Sequence, residues 1–508
     1  MGRMRMIINM APMIACMAMA NTVPLRAAEK NAQVDVFLSF DTEDFLLPAS
    51  DDAAKRLAEL LTERGIRATF RVVGEKARVL EHRGRTDVIA ALRKHDIGYH
   101  TNLHSIHPTP AEYLADCGLL DGVAEFVRRE KKGADDVRRV FGLKTLTCYC
   151  QPGASWACQA VVALDRIGVG PVCAEIGTHI GLDDKPFWAA NVLNVYEMGN
   201  LYTDINLYDP AALESGKAKV SQIVERLRGE GGGLISIGYH PCDWVHKQFW
   251  DATNFRYGAN PPREQWKAPP QRPAGETEQA FAQFARYIDH IQSLGVRFVT
   301  AGELPALYAD RLRTEGVTEA ELLQLARKFA DDRATGIDHQ IINGKSVSPA
   351  DQFELLTAAV GDLVEGEPTA FPLKAKGLLG PDSPPGQDVQ GGRTITWEAF
   401  RDAVVDVRDY LRTNGRVPPR VFIGADYVSP ADFLSGLAAA WCHIAEHHSR
   451  PMSSVKLGAN LAVLPQRHVA DKPVTPFTWS IHKPNLNLAR ILDVARLQAW
   501  TLKPAVRR

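Results

Sequence analysis

Two short stretches of this chain carry residue types and spacings suited to metal-assisted hydrolysis. The first, Val34-Asp-Val-Phe-Leu-Ser-Phe-Asp-Thr-Glu-Asp44, is a Val- and Phe-rich apolar run that ends in the carboxylates Asp41, Glu43 and Asp44. The second, Ile97-Gly-Tyr-His-Thr-Asn-Leu-His104, ends in two histidines four residues apart. On a helix or a tight loop that spacing sets both imidazoles on one side, where they can share a cation with a carboxylate. Two histidines and one carboxylate, with positions left for water, form the ligand set of a hydrolytic Zn²⁺ site or a non-haem Fe(II) site. Each stretch alone has a plainer reading. An acidic strand end often serves as a helix N-cap or solvated turn, and Asp51 and Asp52 stand close by for that task.

Taken together and in order, the two stretches resemble the first two motifs of the NodB-type polysaccharide deacetylases, a family of metal-dependent carbohydrate esterases. The first motif is an Asp-rich strand end (Phe40-Asp-Thr-Glu-Asp44), and the second is His-(Ser/Thr)-x-x-His (His100-Thr-Asn-Leu-His104). The resemblance implies roles. Asp41 would be the general base, and His100 and His104 metal ligands. Glu43 would be the third ligand, keeping the family's offset along the strand end, with Asp44 as the alternative. His240, closing Gly233-Leu-Ile-Ser-Ile-Gly-Tyr-His240, matches the last motif and would be the general acid. Pro152 and Trp156 fit the third motif in Cys150-Gln-Pro-Gly-Ala-Ser-Trp156, and Trp244 joins them as a residue expected to touch substrate. The chain departs from the family at one point: the third-motif arginine that orients the catalytic Asp is replaced by Cys150. The implied cofactor is a divalent metal, Zn²⁺ first, and the implied partner an acetylated glycan or cell-wall polysaccharide losing N- or O-linked acetyl groups. Two other functions stay open: a non-catalytic surface-binding protein with a degenerate site, and a C–N hydrolase of small amides.

Strands and helices must alternate to hold such residues on one face. Between Val34 and Leu304 short apolar runs alternate with helical patterns, which predicts βα units and a mostly parallel sheet. Strands are expected at Val34–Phe40, Ile66–Val73, Ile97–His100, Thr145–Cys150, Val169–Ala174, Leu193–Met198, Gly233–His240 and Val296–Thr300. That is about eight strands, pointing to an α/β fold of the (β/α) barrel type, distorted or incomplete. The expected organisation is a barrel over 29–305, a helical connector over 306–335 and a helical accessory domain over 336–508. Within the last region Val347-Ser-Pro-Ala-Asp351 recurs as Val428-Ser-Pro-Ala-Asp432, each opening a helix with Ser as N-cap and Pro at N1. The second copy resembles the pseudomurein-binding repeat of cell-surface proteins, implying wall or glycan attachment.

Composition narrows the field. A formal net charge of −1 offers no electrostatic attraction to polyanions, so nucleic acid is not an expected partner. No apolar run is long enough for a transmembrane helix. Basic residues at Arg3 and Arg5, the apolar run Ile7–Ala20 and small residues at Ala27-Ala28 predict a secretory signal peptide over 1–28, hence a secreted, periplasmic or cell-surface protein. Cys148, Cys150 and Cys158 could pair in an oxidising compartment, although buried free thiols suit their spacing as well. His443-Ile-Ala-Glu-His447 satisfies an inverted zinc-protease pattern, but helix-terminal histidines explain it more simply.

Overall fold

The computed structural model describes residues 32–174, 179–195, 198–330, 334–386, 391–447, 453–471 and 479–508. The signal peptide expected at 1–28 lies outside them. All eight expected strands form: β1 (Val34–Thr42), β2 (Thr69–Val72), β3 (Asp96–Tyr99), β4 (Tyr149–Cys150), β5 (Val172–Ala174), then β7 (Val192–Asn194), β8 (Gly233–Tyr239) and β9 (Arg297–Val299). A further short strand, β6 (Phe187–Ala189), makes an antiparallel hairpin with β7.

The sheet order β7-β5-β4-β3-β2-β1-β8 is parallel throughout. Its ends approach each other. Ser236 Oγ on β8 donates to the carbonyl of Val195, just past β7, at 2.8 Å, and Thr203 N donates to the Ser236 carbonyl at 3.0 Å. Short β9 pairs with β1 at Asp35–Phe37, below the point where β2 takes over at Ser39–Thr42. The fold is a distorted (β/α) barrel. Every residue of β1 is buried, as a central parallel strand covered on both faces requires. Helices Pro48–Glu63, Leu119–Phe141, Pro210–Gly229 and Ala274–Ser293 lay apolar residues such as Leu57, Phe126, Val220 and Phe284 into the same core.

The domain boundaries need correction. Leu312, Val317, Leu322 and Leu325 belong to a second core with Phe353, Phe400 and Phe433, so 306–335 is no mere connector. This second core runs from Leu312 to Leu457, is joined by Trp500 edge-on to Phe353, and holds two hairpin–helix units. Strands Gln340–Ile342 and Lys345–Val347 lead into helix Pro349–Glu365, and Val421–Ile423 and Asp426–Val428 lead into Pro430–His447. In each unit the Ser-x-x-Asp pair caps the helix, through Ser348 with Asp351 and Ser429 with Asp432. The accessory region does not run to residue 508. Val469, Leu488, Ile491, Leu492, Val494 and Leu502 return to the barrel core, and Lys503–Pro504 adds an antiparallel strand beside β6. The amphipathic helix Ala489–Gln498 needs an apolar partner, and the barrel supplies it. The accessory module is therefore an insertion. Lys503 Nζ ties the parts together, lying 2.7 Å from Asp310 Oδ2 and 2.9 Å from Asp351 Oδ2, all three buried.

Truncation near residue 335 should therefore give insoluble protein. It strips six large aliphatic side chains from the barrel core, a loss on the order of 10 kcal/mol, comparable to the whole stability of a domain. Recovery of a soluble, cooperatively melting 29–335 fragment would contradict the insertion. A second expectation concerns Glu354, whose carboxyl is pushed up to about 7 by burial while it accepts N–H groups of Lys376 and Gly377. An unfolded glutamate titrates near ~4.3. The native chain thus keeps a proton that the unfolded chain releases, and stability falls as pH rises from there through about 7. Glu354→Gln keeps an acceptor oxygen and removes the charge. It should melt a few degrees above wild type at pH 8, with the gap closing by pH 4.5 in calorimetry.

Candidate active site

β1 sits between β2 and β8, and that register builds the site. Asp41 is directly paired with Arg71 of β2, so both side chains leave the same face of the sheet. On the other side Phe40 pairs with Tyr239, which brings His240 next to Asp41. Arg71 Nε lies 2.7 Å from Asp41 Oδ1, with the two side chains 0% and 7% exposed. His240 Nε2 lies 3.6 Å from Asp41 Oδ2, and His240 Nδ1 lies 3.3 Å from Asp243 Oδ2. The His240 side chain is 31% exposed, so the site opens on this side. Burial works against its charged form, but Glu43, Asp243 and Asp41 outweigh that and push the imidazole up to about 10.

The histidine pair is carried by a tight loop after β3. Thr101 and His104 have positive φ (65° and 54°), a strained turn for side-chain-bearing residues that brings the imidazole centroids to 4.9 Å. His100 Nδ1 donates to the Cys150 carbonyl at 3.0 Å, leaving Nε2 to face Glu43 Oε2 at 3.0 Å. His104 Nε2 also lies 3.0 Å from Glu43 Oε2, and it is buried without a hydrogen-bond partner. The other oxygen of Glu43 is fixed by the indole N–H of Trp250, which donates to Oε1 at 2.7 Å. Burial alone would raise the Glu43 carboxyl, but the imidazoles of His104 and His240 outweigh it and hold the group well below the usual carboxylate range.

The ligand atoms of Glu43, His100 and His104 lie within 4.8 Å of one another, and an orphaned imidazole nitrogen aimed at a carboxylate is what a cation would satisfy. The residues fit a divalent metal. Two neighbouring groupings are equally compact, Asp41–His100–Cys150 and Asp41–Glu43–His240, but each suits a cation less. Burial pushes the Cys150 thiol well above its ordinary range, so it stays protonated, and the Arg71 guanidinium already neutralises Asp41. Asp44 is not part of the set. Its Oδ1 accepts Leu46 N at 2.8 Å, and its Oδ2 takes the Ser50 hydroxyl and His246 Nε2, the latter at 2.7 Å. It holds the loop that precedes helix Pro48–Glu63. Asp51, expected as a cap, pairs instead with Lys76 and Arg83 in the interior.

The residues expected to touch substrate are placed differently. Trp244 is fully buried against Tyr239, Phe281 and Phe284, and Trp156 is buried and stacked on His179 at 5.0 Å. Neither offers a free ring face. Pro152 is buried at a turn, its carbonyl accepting Ser155 N at 3.0 Å. The half-buried aromatics that flank the site are Phe249, edge-on to His240 at 5.0 Å, and Trp479, edge-on to His104 at 5.6 Å. Trp479 arrives from beyond the accessory module. Of the protease-like pattern, Glu446 is engaged in an ion pair with Arg327 at 2.8 Å, and the His447 side chain lies outside the described residues. The seven described cysteines are all free thiols.

Sequence reasoning missed Arg71, Asp243, Ser105, Asp251 and Trp479. A signal existed for Arg71: an arginine inside the apolar strand Thr69-Phe-Arg-Val72 must meet a buried anion. Asp243 follows His240 at i+3, a spacing suited to an orienting carboxylate. Trp479 carried no local signal.

No family model matches the chain, nor does any curated protein, so the pseudomurein-binding resemblance of the repeat has no support. Among the solved structures that match are carbohydrate esterases of family 4, pseudoenzymes of that family included. A family 4 carbohydrate esterase from Streptomyces lividans in complex with acetate is 14% identical, covering 53% of this chain and 92% of that one at a TM-score of 0.28. The family 4 domain of a multidomain xylanase from the hindgut metagenome of Trinervitermes trinervoides is 10% identical, covering 54% and 90% at 0.29. A family 4 pseudoenzyme from Bacillus anthracis is 13% identical, covering 54% and 66% at 0.28.

The Asp41–Arg71 pair makes a specific expectation. Arg71→Ala leaves a buried carboxylate without its cation and should destabilise the fold by about 3–5 kcal/mol. Cys150→Arg alone forces a second guanidinium into a filled space beside the first and should also destabilise. Together they exchange one buried cation for another, so the double variant should melt above either single variant. Additive losses in this cycle would mean that Cys150 and Arg71 do not share the Asp41 environment.

Proposed function

We propose that this chain is a divalent-metal-dependent hydrolase that removes N- or O-linked acetyl groups from a glycan outside the cytoplasm. One observation carries the reading: Glu43, His100 and His104 converge as buried acceptors while Asp41 and His240 stand beside them within 3.7 Å contacts. Zn²⁺ suits two imidazoles and one carboxylate. Held by these three side chains, it would supply Lewis acidity toward the acetyl carbonyl and the attacking water. Asp41 takes the proton of that water. Arg71, 2.7 Å away, pairs with the Asp41 carboxylate and aims it, the task that the family's third-motif arginine performs. His240, oriented by Asp243, gives a proton to the departing amine or alcohol.

The motif order supports a glycan as substrate, and the basic and apolar N-terminal run supports export. A buried guanidinium placed against Asp41 supports a working site over a degenerate, binding-only one, since a scaffold has no need to orient that carboxylate. The third reading, hydrolysis of a small amide, differs only in the acyl acceptor and is separated by assay.

The test uses the full chain loaded with Zn²⁺. Acetate should be released from acetylated chito-oligosaccharides or acetylated xylan, and much less from small amides. Asp41→Asn and His240→Ala should each lower kcat by on the order of 10²–10⁴ while retaining stoichiometric metal. His100→Ala with His104→Ala should bind none. Metal retained by that double variant, or no acetate released from any glycan by metal-loaded wild type, would sink the proposal.

A further inference from the structure

His104 has a second partner that its ligand role does not explain. Its Nδ1 lies 2.5 Å from Ser105 Oγ, and Ser105 Oγ donates to Asp251 Oδ2 at 2.8 Å. The serine has one proton and gives it to the carboxylate, so its oxygen must accept from the imidazole. His104 is thereby fixed with its proton on Nδ1 and its lone pair on Nε2, facing Glu43 Oε2. The same carboxylate oxygen of Asp251 also accepts the indole N–H of Trp479 at 3.1 Å. His104, Ser105 and Asp251 are all buried, at 3%, 0% and 1% exposure. Trp479 has a place built for it: its ring lies where a Cβ on Gly153 would sit, 2.5 Å away, and Gly153 has a positive φ of 48°. The ring further packs edge-on to His482 at 5.0 Å, and His482 Nε2 meets Thr109 Oγ1 at 3.1 Å.

We propose that Ser105, Asp251 and Trp479 are positioning residues for the metal ligand His104, and that Trp479 makes cation affinity depend on the segment following the accessory module. The proposal rests on the reading of His104 as a ligand. Outer hydrogen bonds of this kind fix the ring and tautomer of a metal-bound histidine and raise its basicity. Here the chain is His104 Nδ1–H to Ser105 Oγ–H to Asp251 Oδ2, with Trp479 N–H donating to that same oxygen. Neighbouring Trp250 does the parallel task for Glu43. Consecutive residues of one loop, Trp250 and Asp251, thus steady two different ligands. The polypeptide reaches Trp479 only after passing through the whole inserted module, so the outer shell of the metal site is complete only when both cores have formed.

The test is Zn²⁺ affinity of the metal-free full chain, measured by competition with a chromophoric chelator, with folding checked by circular dichroism. Trp479→Phe keeps a ring over Gly153 and loses the N–H; it should weaken binding about tenfold. Ser105→Ala should weaken it by roughly 10–100-fold. The double variant should bind no worse than Ser105→Ala, because both changes break one chain. Trp266→Phe is the control. It removes an indole of the same aromatic cluster whose N–H goes to the Pro261 carbonyl, and affinity should be unchanged. Folded Trp479→Phe and Ser105→Ala proteins that bind within twofold of wild type would overturn the proposal while leaving the ligand assignment intact. Wild type that binds no Zn²⁺, or His104→Ala that binds it fully, would remove the ligand reading itself.

Discussion

Burying anions at the end of one strand is the constraint from which the rest of this site follows. β1 ends in Asp41, Glu43 and Asp44, all nearly inaccessible, and an isolated carboxylate in such surroundings costs several kcal/mol. Each is answered by a different neighbour. Asp41 receives Arg71 from β2 and His240 from β8, the two strands that flank β1. Glu43 receives two imidazoles and an indole N–H, and Asp44 receives His246, Ser50 and backbone amides. Three neighbouring acids therefore acquire three separate environments from their partners alone: a guanidinium pair, a cluster of two imidazoles, and a loop held by His246 and Ser50.

Much of the barrel was legible because its signals are local. Apolar runs of strand length and helices with one apolar face reveal themselves in a window of residues, and all eight expected strands form within a few residues of their expected ends. His100, His104 and Asp41 stand out as candidates for the same reason, since each depends on a single short segment, and the fold brings them together. The choice between Glu43 and Asp44 was not, because it turns on what Ser50, His246 and Trp250 donate from elsewhere in the chain. Trp244 and Trp156 misled because an aromatic residue near a site serves packing as readily as contact, and only burial separates the two uses.

The domain boundary failed for a topological reason. An apolar helical face at Ala489–Gln498 announces that it will be buried, but nothing in its sequence names the core that will bury it. Sequence order favoured the adjacent accessory core; the barrel won. Closing the chain this way brings Lys503 between Asp310 and Asp351, and Arg507 to within 2.7 Å of Asp35 at the base of β1. The last residues thus pin both the module and the strand that carries the site.

Cys150 shows why a motif and a site are different objects. A residue-by-residue comparison with the family finds the orienting arginine gone and suggests a dead enzyme. What the chemistry needs is a guanidinium against Asp41, and a parallel sheet offers more than one strand from which to send it. β2 lies in direct register with Asp41, whereas Cys150 sits on β4, two strands further round. An arginine at position 71 reaches the carboxylate from its immediate neighbour, and a small, uncharged thiol at 150 leaves room for it. Two buried guanidinium groups around one carboxylate would leave one uncompensated, so Arg71 and a small, neutral residue 150 form a consistent pair. The guanidinium that pairs with Asp41 comes from Arg71 on the neighbouring strand, and the small neutral residue at 150 is the counterpart of that placement.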